Sequence, residues 1–281
     1  MAVVPLLAAA GWVALPEMPF HAGRAVAGGL IFGIAMAPAG GCGAGVWQHV
    51  GEGRLASLAA VAGFTLAIGA IAHFAAATGG NAVVPPPAPP RLAGLPLWAV
   101  TLPVAILLFL GATRLAPSAA AKGAWTWQPT GLAIGVVGVA AWALAGIDGR
   151  GYGLAIIPGN IAWFEALLRF DYGRLDAAAA LVVAVTVGAH VAARIDGQFK
   201  WSAAAPRQLA TAFAGGIGLG VGGALAAGCT VGLGLSATPL LAPGALLFVP
   251  AALLGSWILP LIQRLRRDGA DEAGAQPSEV R

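Results

Sequence analysis

AVAGGLIFGIAMAPAGGCGAG, residues 25–45, and TAFAGGIGLGVGGALAAGCTVG, residues 211–232, are the two stretches on which the reading of this chain turns. Each holds one of its 2 cysteines, Cys42 and Cys229. With the cysteines superimposed, Ala27, Gly28, Gly29, Gly33, Ala37, Ala39, Gly41 and Gly45 fall on Ala214, Gly215, Gly216, Gly220, Ala224, Ala226, Gly228 and Gly232. A thiol carried twice by the same apolar scaffold predicts an internal repeat and one site built from two halves.

The glycines next to each cysteine carry the local argument. Glycine costs about 1 kcal/mol relative to alanine in a helix interior. Clusters at Gly41-Cys42-Gly43-Ala44-Gly45 and Gly228-Cys229-Thr230-Val231-Gly232-Leu233-Gly234 therefore predict a helix break at each thiol. The half-helix that follows exposes N–H groups, and these with the helix dipole favour an anion. Gly29 with Gly33, and Gly216 with Gly220, have the spacing of close helix packing instead. A buried cysteine taken alone is most often a small inert hydrophobe. The matched context is what argues otherwise.

Composition sets the environment. The chain is 59% hydrophobic and 9% charged, where a soluble domain carries about 25% charged residues. Its mean hydropathy is +0.84. The expected class is an all-α polytopic membrane protein, in contact with lipid, because backbone polar groups in a bilayer must be paired internally. Uniform apolar runs such as Leu95 to Gly111 and Ala177 to Ala193 favour helices over the alternating strands of a membrane barrel. The formal net charge of +4 lies mostly between apolar runs and calls for no nucleic acid.

A pass along the chain predicts eight or nine spans of about 20 residues. Residues 1–15 read as a first span or a half-span. Further spans fall at 24–45, 55–77, 97–115, 130–147, 151–169, 175–194, 207–227 and 243–263. GGNAVVPPPAPPRLAGLP, residues 79–96, is a proline-rich loop, and 117–129 is a loop with Lys122, Trp125 and Trp127 at an interface. The expected organisation is a single transmembrane transport domain over 1–263, with repeat one about 20–78 and repeat two about 205–263. A disordered tail follows over 264–281. Arg264, Arg266 and Arg267 after the last run place that end in the cytoplasm by the positive-inside rule. Arg24 and Arg207 both precede the repeated segments, which points to equal orientation of the repeats. Paired broken helices in transporters point to inverted ones.

Other polar residues are few. Glu52 and Arg54 flank Gly53 in a loop. Glu165 and Arg169 have i, i+4 spacing for an ion pair at a membrane edge. His73 and His190 lie in apolar runs and are expected to be hydrogen-bonded packing residues. No histidine or cysteine grouping predicts a metal site, and no cofactor is expected.

With these residues in view the chain resembles the YeeE/YedE sulfur-transport family. GGCGAGVWQHVGEGRLASLAAVAGFTLAIGAI, residues 40–71, is similar to the family's first repeat, with its Gly-Gly-Cys-x-x-Gly and Gly-Glu-Gly elements. GCTVGLGLS, residues 228–236, is similar to its second motif, Gly-Cys-Thr-x-Gly-His-Gly-Leu-Ser, with Leu233 where the family has histidine. Some members carry a further cysteine near the N-terminus, which this chain lacks. The resemblance implies a multi-span inner-membrane importer, not an enzyme, for thiosulfate or a related inorganic sulfur anion. It implies a substrate path lined by Cys42 and Cys229, with Gly41, Gly45, Gly228, Thr230, Gly232, Gly234 and Ser236 around it. It also implies a cytosolic sulfur carrier of the TusA type as a partner. A membrane thiol-redox protein using the cysteine pair is the alternative, although no dinucleotide motif supports it.

Overall fold

The computed structural model describes residues 3–13, 21–79, 91–92, 95–115, 126–147 and 149–274. Ten α-helices follow in order: α1 (Val3–Ala9), α2 (Ala22–Ala39), α3 (Gly43–Gly51), α4 (Leu55–Ala77), α5 (Leu97–Leu115), α6 (Trp127–Ile147), α7 (Ile157–Arg169), α8 (Ala177–Ile195), α9 (Pro206–Ala226) and α10 (Pro243–Gly274). A π-helix, Thr230–Ala237, stands between α9 and α10. Extended pairing among the described residues amounts to Arg91–Leu92 against Leu95–Pro96 and a bridge between Arg54 and Ser202.

Among the described residues, 7 segments are long and apolar enough to cross a membrane. They are α2 continued by α3, then α4, α5, α6, α8, α9 and the first part of α10. The sequence reading counts eight or nine, and the difference lies in two places. α1 is 7 residues long and α7 only 13, too short to span. α10 continues to Gly274, past the Arg264 where the sequence reading begins a tail. Residues 80–90 of the proline-rich loop, Lys122 and Trp125, and residues 275–281 lie outside the described residues.

Glycines set the centre of the fold. A Cβ added to Gly28 would meet Ala226 N at 2.5 Å and Gly222 O at 2.7 Å, while Gly215 abuts Pro38 and Ala39. The start of α2 thus touches the end of α9, and the end of α2 touches the start of α9, so the two helices are antiparallel. They are the two helices that the alignment of the cysteine segments superimposes, and in space they run in opposite directions. Their neighbours follow the same correspondence. Gly29 meets Phe248 O at 2.9 Å and Ala252 N at 3.3 Å on α10, and its counterpart Gly216 abuts Ala60 O and Phe64 N on α4. α4, α9, α2 and α10 form the centre. Phe32, Phe64, Ile68, Leu219 and Phe248 fill its core, with Phe32 and Phe248 edge to face at 5.6 Å. α5 and α6 lie outside it, with Leu107, Phe109, Leu132 and Val136 exposed, as suits lipid-facing helices.

Candidate functional site

Both central helices stop in the same way, just before the cysteine. In α2, Gly40 takes the left-handed conformation at φ 81°, its N–H bonds Ala37 O, and the N–H of Gly41 bonds Met36 O at 3.0 Å. In α9, Ala227 is left-handed at φ 60°, its N–H bonds Ala224 O, and the N–H of Gly228 bonds Gly223 O at 2.9 Å. These are two Schellman stops in register. Cys42 and Cys229 follow in extended conformation, at φ −75° and φ −124°, as the N-caps of α3 and of the π-helix. The glycine clusters do break the helices at the thiols.

Each cysteine thus heads a short helix whose first N–H groups have no intrahelical carbonyl. For α3 the first turn closes only at Val46, whose N–H bonds Cys42 O at 3.0 Å. Both thiols are free, Cys42 half-buried and Cys229 buried to 1% exposure. They belong to one hydrophobic cluster, Cys229 within it and Cys42 packed against it.

A cavity of about 310 Å³ adjoins Cys229, lined among others by Tyr152, Ile157, Ile161, Gly228 and Gly232. Next to it, the hydroxyl of Thr230 is buried and has no hydrogen-bond partner. An unpaired buried hydroxyl is costly, on the order of 1–3 kcal/mol. The remaining motif residues divide. Gly41 and Gly45 flank Cys42, and a Cβ on Gly45 would lie 3.7 Å from its sulfur. Ser236 is turned away, donating to Leu154 O at 2.6 Å. Gly234 is open toward Val249. Leu233, where the family pattern has histidine, is fully buried against Gly228.

At the other end of α3 a polar cluster forms. Glu52 accepts from Gln48 Nε2 at 3.0 Å, pairs with His49 Nδ1 at 2.8 Å and lies 3.4 Å from Arg54 Nε. Burial works to raise the Glu52 carboxyl, but the bonds from His49 and Gln48 and the charge of Arg54 outweigh it and hold it below the usual carboxylate range. A cleft of about 730 Å³ opens here, between Gln48, Glu52, Arg54 and, across from them, Gln198, Lys200 and Ser202. Glu165 pairs with Arg169 at 2.8 Å, as the i, i+4 spacing predicts, and also with His73 at 2.8 Å. His190 Nδ1 lies 3.1 Å from Gly51 O and packs edge to face on Phe199.

The sequence reading missed α7. Residues 151–169 read as one span, yet α7 begins only at Ile157, and Ile157 lines the cavity at Cys229. The available signal was Asn160, a polar amide within an apolar run, and it is fully buried.

A family model described as sulphur transport matches residues 1–258. The thiosulfate transporter TsuA of Escherichia coli (strain K12) is 28% identical over 255 residues, covering 83% of this chain and 72% of its own length. The TsuA thiosulfate transporter of Spirochaeta thermophila is 28% identical over 282 aligned residues, covering 93% of this chain and 84% of its own length.

Proposed function

The chain belongs to the sulphur-transport family, and from that premise we propose that it admits thiosulfate or a closely related inorganic sulfur anion along a path lined by Cys42 and Cys229. The observation that carries the reading is the pair of equivalent helix stops, which set both thiols as N-caps within one buried cluster. The names of the similar proteins supply the substrate class.

A dianion in a low-dielectric interior is expensive to solvate. A fixed lysine or arginine at the constriction would offset that cost and would also hold the ion. Conduction needs binding favourable enough to enter and weak enough to leave. Neutral S–H groups are weak donors. With the free N–H groups of Gly43, Ala44, Thr230 and Val231 behind them, the thiols offer a shallow site that a polarizable sulfur atom can pass. The unpaired hydroxyl of Thr230 gives one further donor for a substrate oxygen. Gly41, Gly45, Gly228, Gly232 and Gly234 let the backbone come near the ion, and Ser236 holds the π-helix to the turn before α7.

Charge orients the molecule. The helix directions place Arg54, Lys200, Arg207 and Arg264 at one face and Arg24 and Arg169 at the other. By the positive-inside rule the first face, with the end of α10, is cytoplasmic, in a cytoplasmic membrane. The cleft beside Glu52 and Lys200 then lies on the delivery side, where a TusA-type sulfur carrier would receive the cargo.

Uptake of radiolabelled thiosulfate by cells with no other thiosulfate importer tests the reading. The intact protein restores uptake, and Cys42→Ser or Cys229→Ser lowers it by at least about tenfold, since a hydroxyl is a harder and more strongly hydrated partner than a thiol. Unchanged uptake in both variants removes the cysteines from the path.

A further inference from the structure

A buried amide outside both cysteine motifs connects them. Asn160, at 0% exposure, sits in the first turn of α7. Its Oδ1 accepts from Thr65 Oγ1 of α4 at 2.6 Å and from Trp47 Nε1 of α3 at 3.3 Å. Its Nδ2 donates to Ile156 O at 2.8 Å. The partners fix the orientation of the amide, because an indole N–H only donates and a carbonyl only accepts. Thr186 Oγ1 of α8 in turn donates to Trp47 O at 3.2 Å. Four helices therefore meet at one polar node in an otherwise apolar interior.

The node reaches both thiols. Trp47 lies on α3, the half-helix that Cys42 caps. Ile156, whose carbonyl Asn160 holds, directly precedes Ile157, which lines the cavity at Cys229. Ile157, Pro158 and Ile161, also on α7, form one wall of the cavity at Cys229. α7 thus carries both the polar node and part of the Cys229 cavity wall. In lipid no water replaces a lost partner, so the node is satisfied only when α3, α4 and α7 are all seated.

We propose that Asn160 is a positioning residue: through Trp47 and Ile156 it sets the access of Cys42 and Cys229 relative to each other. The consequence for transport rests on the sulfur-anion reading above, but the consequence for thiol access does not. Asn160→Leu keeps similar bulk and leaves the Trp47 N–H and the Thr65 hydroxyl without their acceptor, while the Ile156 carbonyl keeps only the backbone N–H of residue 160 at 3.1 Å.

The test is the rate at which N-ethylmaleimide modifies each thiol in purified full-length protein. Cys229 is followed in a Cys42→Ser background and Cys42 in a Cys229→Ser background. With Asn160 intact, Cys42 reacts at least about tenfold faster than Cys229, following their exposure. Asn160→Leu is expected to speed modification of Cys229 by about tenfold, and Thr65→Val or Trp47→Phe, each removing one donor, by about threefold. A role confined to stability leaves the rates in the monodisperse protein unchanged, and that result overturns the proposal. Should Asn160→Leu fail to fold, unchanged rates in both Thr65→Val and Trp47→Phe overturn it equally. Failure of the transport reading shows separately, as absent thiosulfate uptake by the parent protein.

Discussion

Cys42 and Cys229 follow the same helix stop, yet what comes after them differs. After Cys42 the chain forms a regular α-helix, Gly43–Gly51, that ends on a polar cluster. After Cys229 it forms a π-helix, Thr230–Ala237, and then a short 3-10 turn. Cys42 is half-buried, whereas Cys229 is buried beside a cavity and an unpaired hydroxyl. The helix stops that place the two thiols are alike, and the segments behind them are not. Behind Cys42 the turns are those of a regular α-helix, and behind Cys229 they are wider, of a kind frequent at functional sites.

The scaffold half of this comparison is the easiest to break. Gly29 and Gly216 are equivalent, and each meets backbone of the neighbouring helix. Gly29→Val and Gly216→Val should each abolish recovery of monodisperse protein, because overpacking against backbone costs about 1–3 kcal/mol or more and has no side chain to yield. Gly135→Val on α6, where an added Cβ meets nothing within 4 Å, should have no effect. Unequal outcomes for Gly29 and Gly216, read by size exclusion in detergent, would break the two-fold equivalence.

The divergent half is probed at Thr230. Thr230→Val removes a hydroxyl that bonds nothing in the protein. Thiosulfate uptake should fall by about three- to tenfold while the melting temperature holds or rises, since an unpaired buried polar group is itself destabilising. Ser236→Ala gives the contrast. It breaks the 2.6 Å bond to Leu154 O and should lower stability by about 1 kcal/mol. A Thr230→Val protein that transports normally removes Thr230 from the path.

What the sequence revealed follows the same division. Glycine and cysteine placement disclosed the repeat, the breaks and the two thiols, because a Gly cluster in an apolar run has a direct backbone consequence. Orientation was not readable from Arg24 and Arg207. It emerges from which glycines touch which helix, a property of pairs distant in sequence. α7 was hidden because hydropathy alone does not distinguish a full span from a half-helix preceded by a turn. Asn160 is the residue that marks the difference, and its three partners come from three separate parts of the chain. The left-handed stop at Ala227 was likewise unsignalled, since alanine there takes a conformation normally left to glycine.

That stop offers a finer test of how alike the two breaks are. Gly40 occupies the left-handed position in α2 without strain, and Ala227 occupies it in α9 against its Cβ. Gly40→Ala should destabilise by about 1 kcal/mol and Ala227→Gly should stabilise by roughly 0.5–1 kcal/mol, measured by thermal unfolding in detergent. The signs must be opposite. A destabilised Ala227→Gly variant would mean that the methyl group packs well enough to outweigh the strain, and that the second stop is held by side chains rather than by backbone.

The smallest expected effect separates the ends of the two short helices. Only the α3 end carries a carboxylate held below its usual range, Glu52. Its unfolded form binds a proton more readily than its folded form. The stability it contributes is therefore fully present above the ordinary carboxylate pKa and is lost as pH falls through the lower folded value. Partial exposure at 26% screens the pair and keeps the contribution small. Melting curves of the parent protein and Glu52→Gln should differ slightly at neutral pH and converge as the pH falls through the lowered folded value. A difference that stays constant with pH would mean that Glu52 acts as a neutral hydrogen-bond acceptor, and that α3 ends on shape rather than on charge.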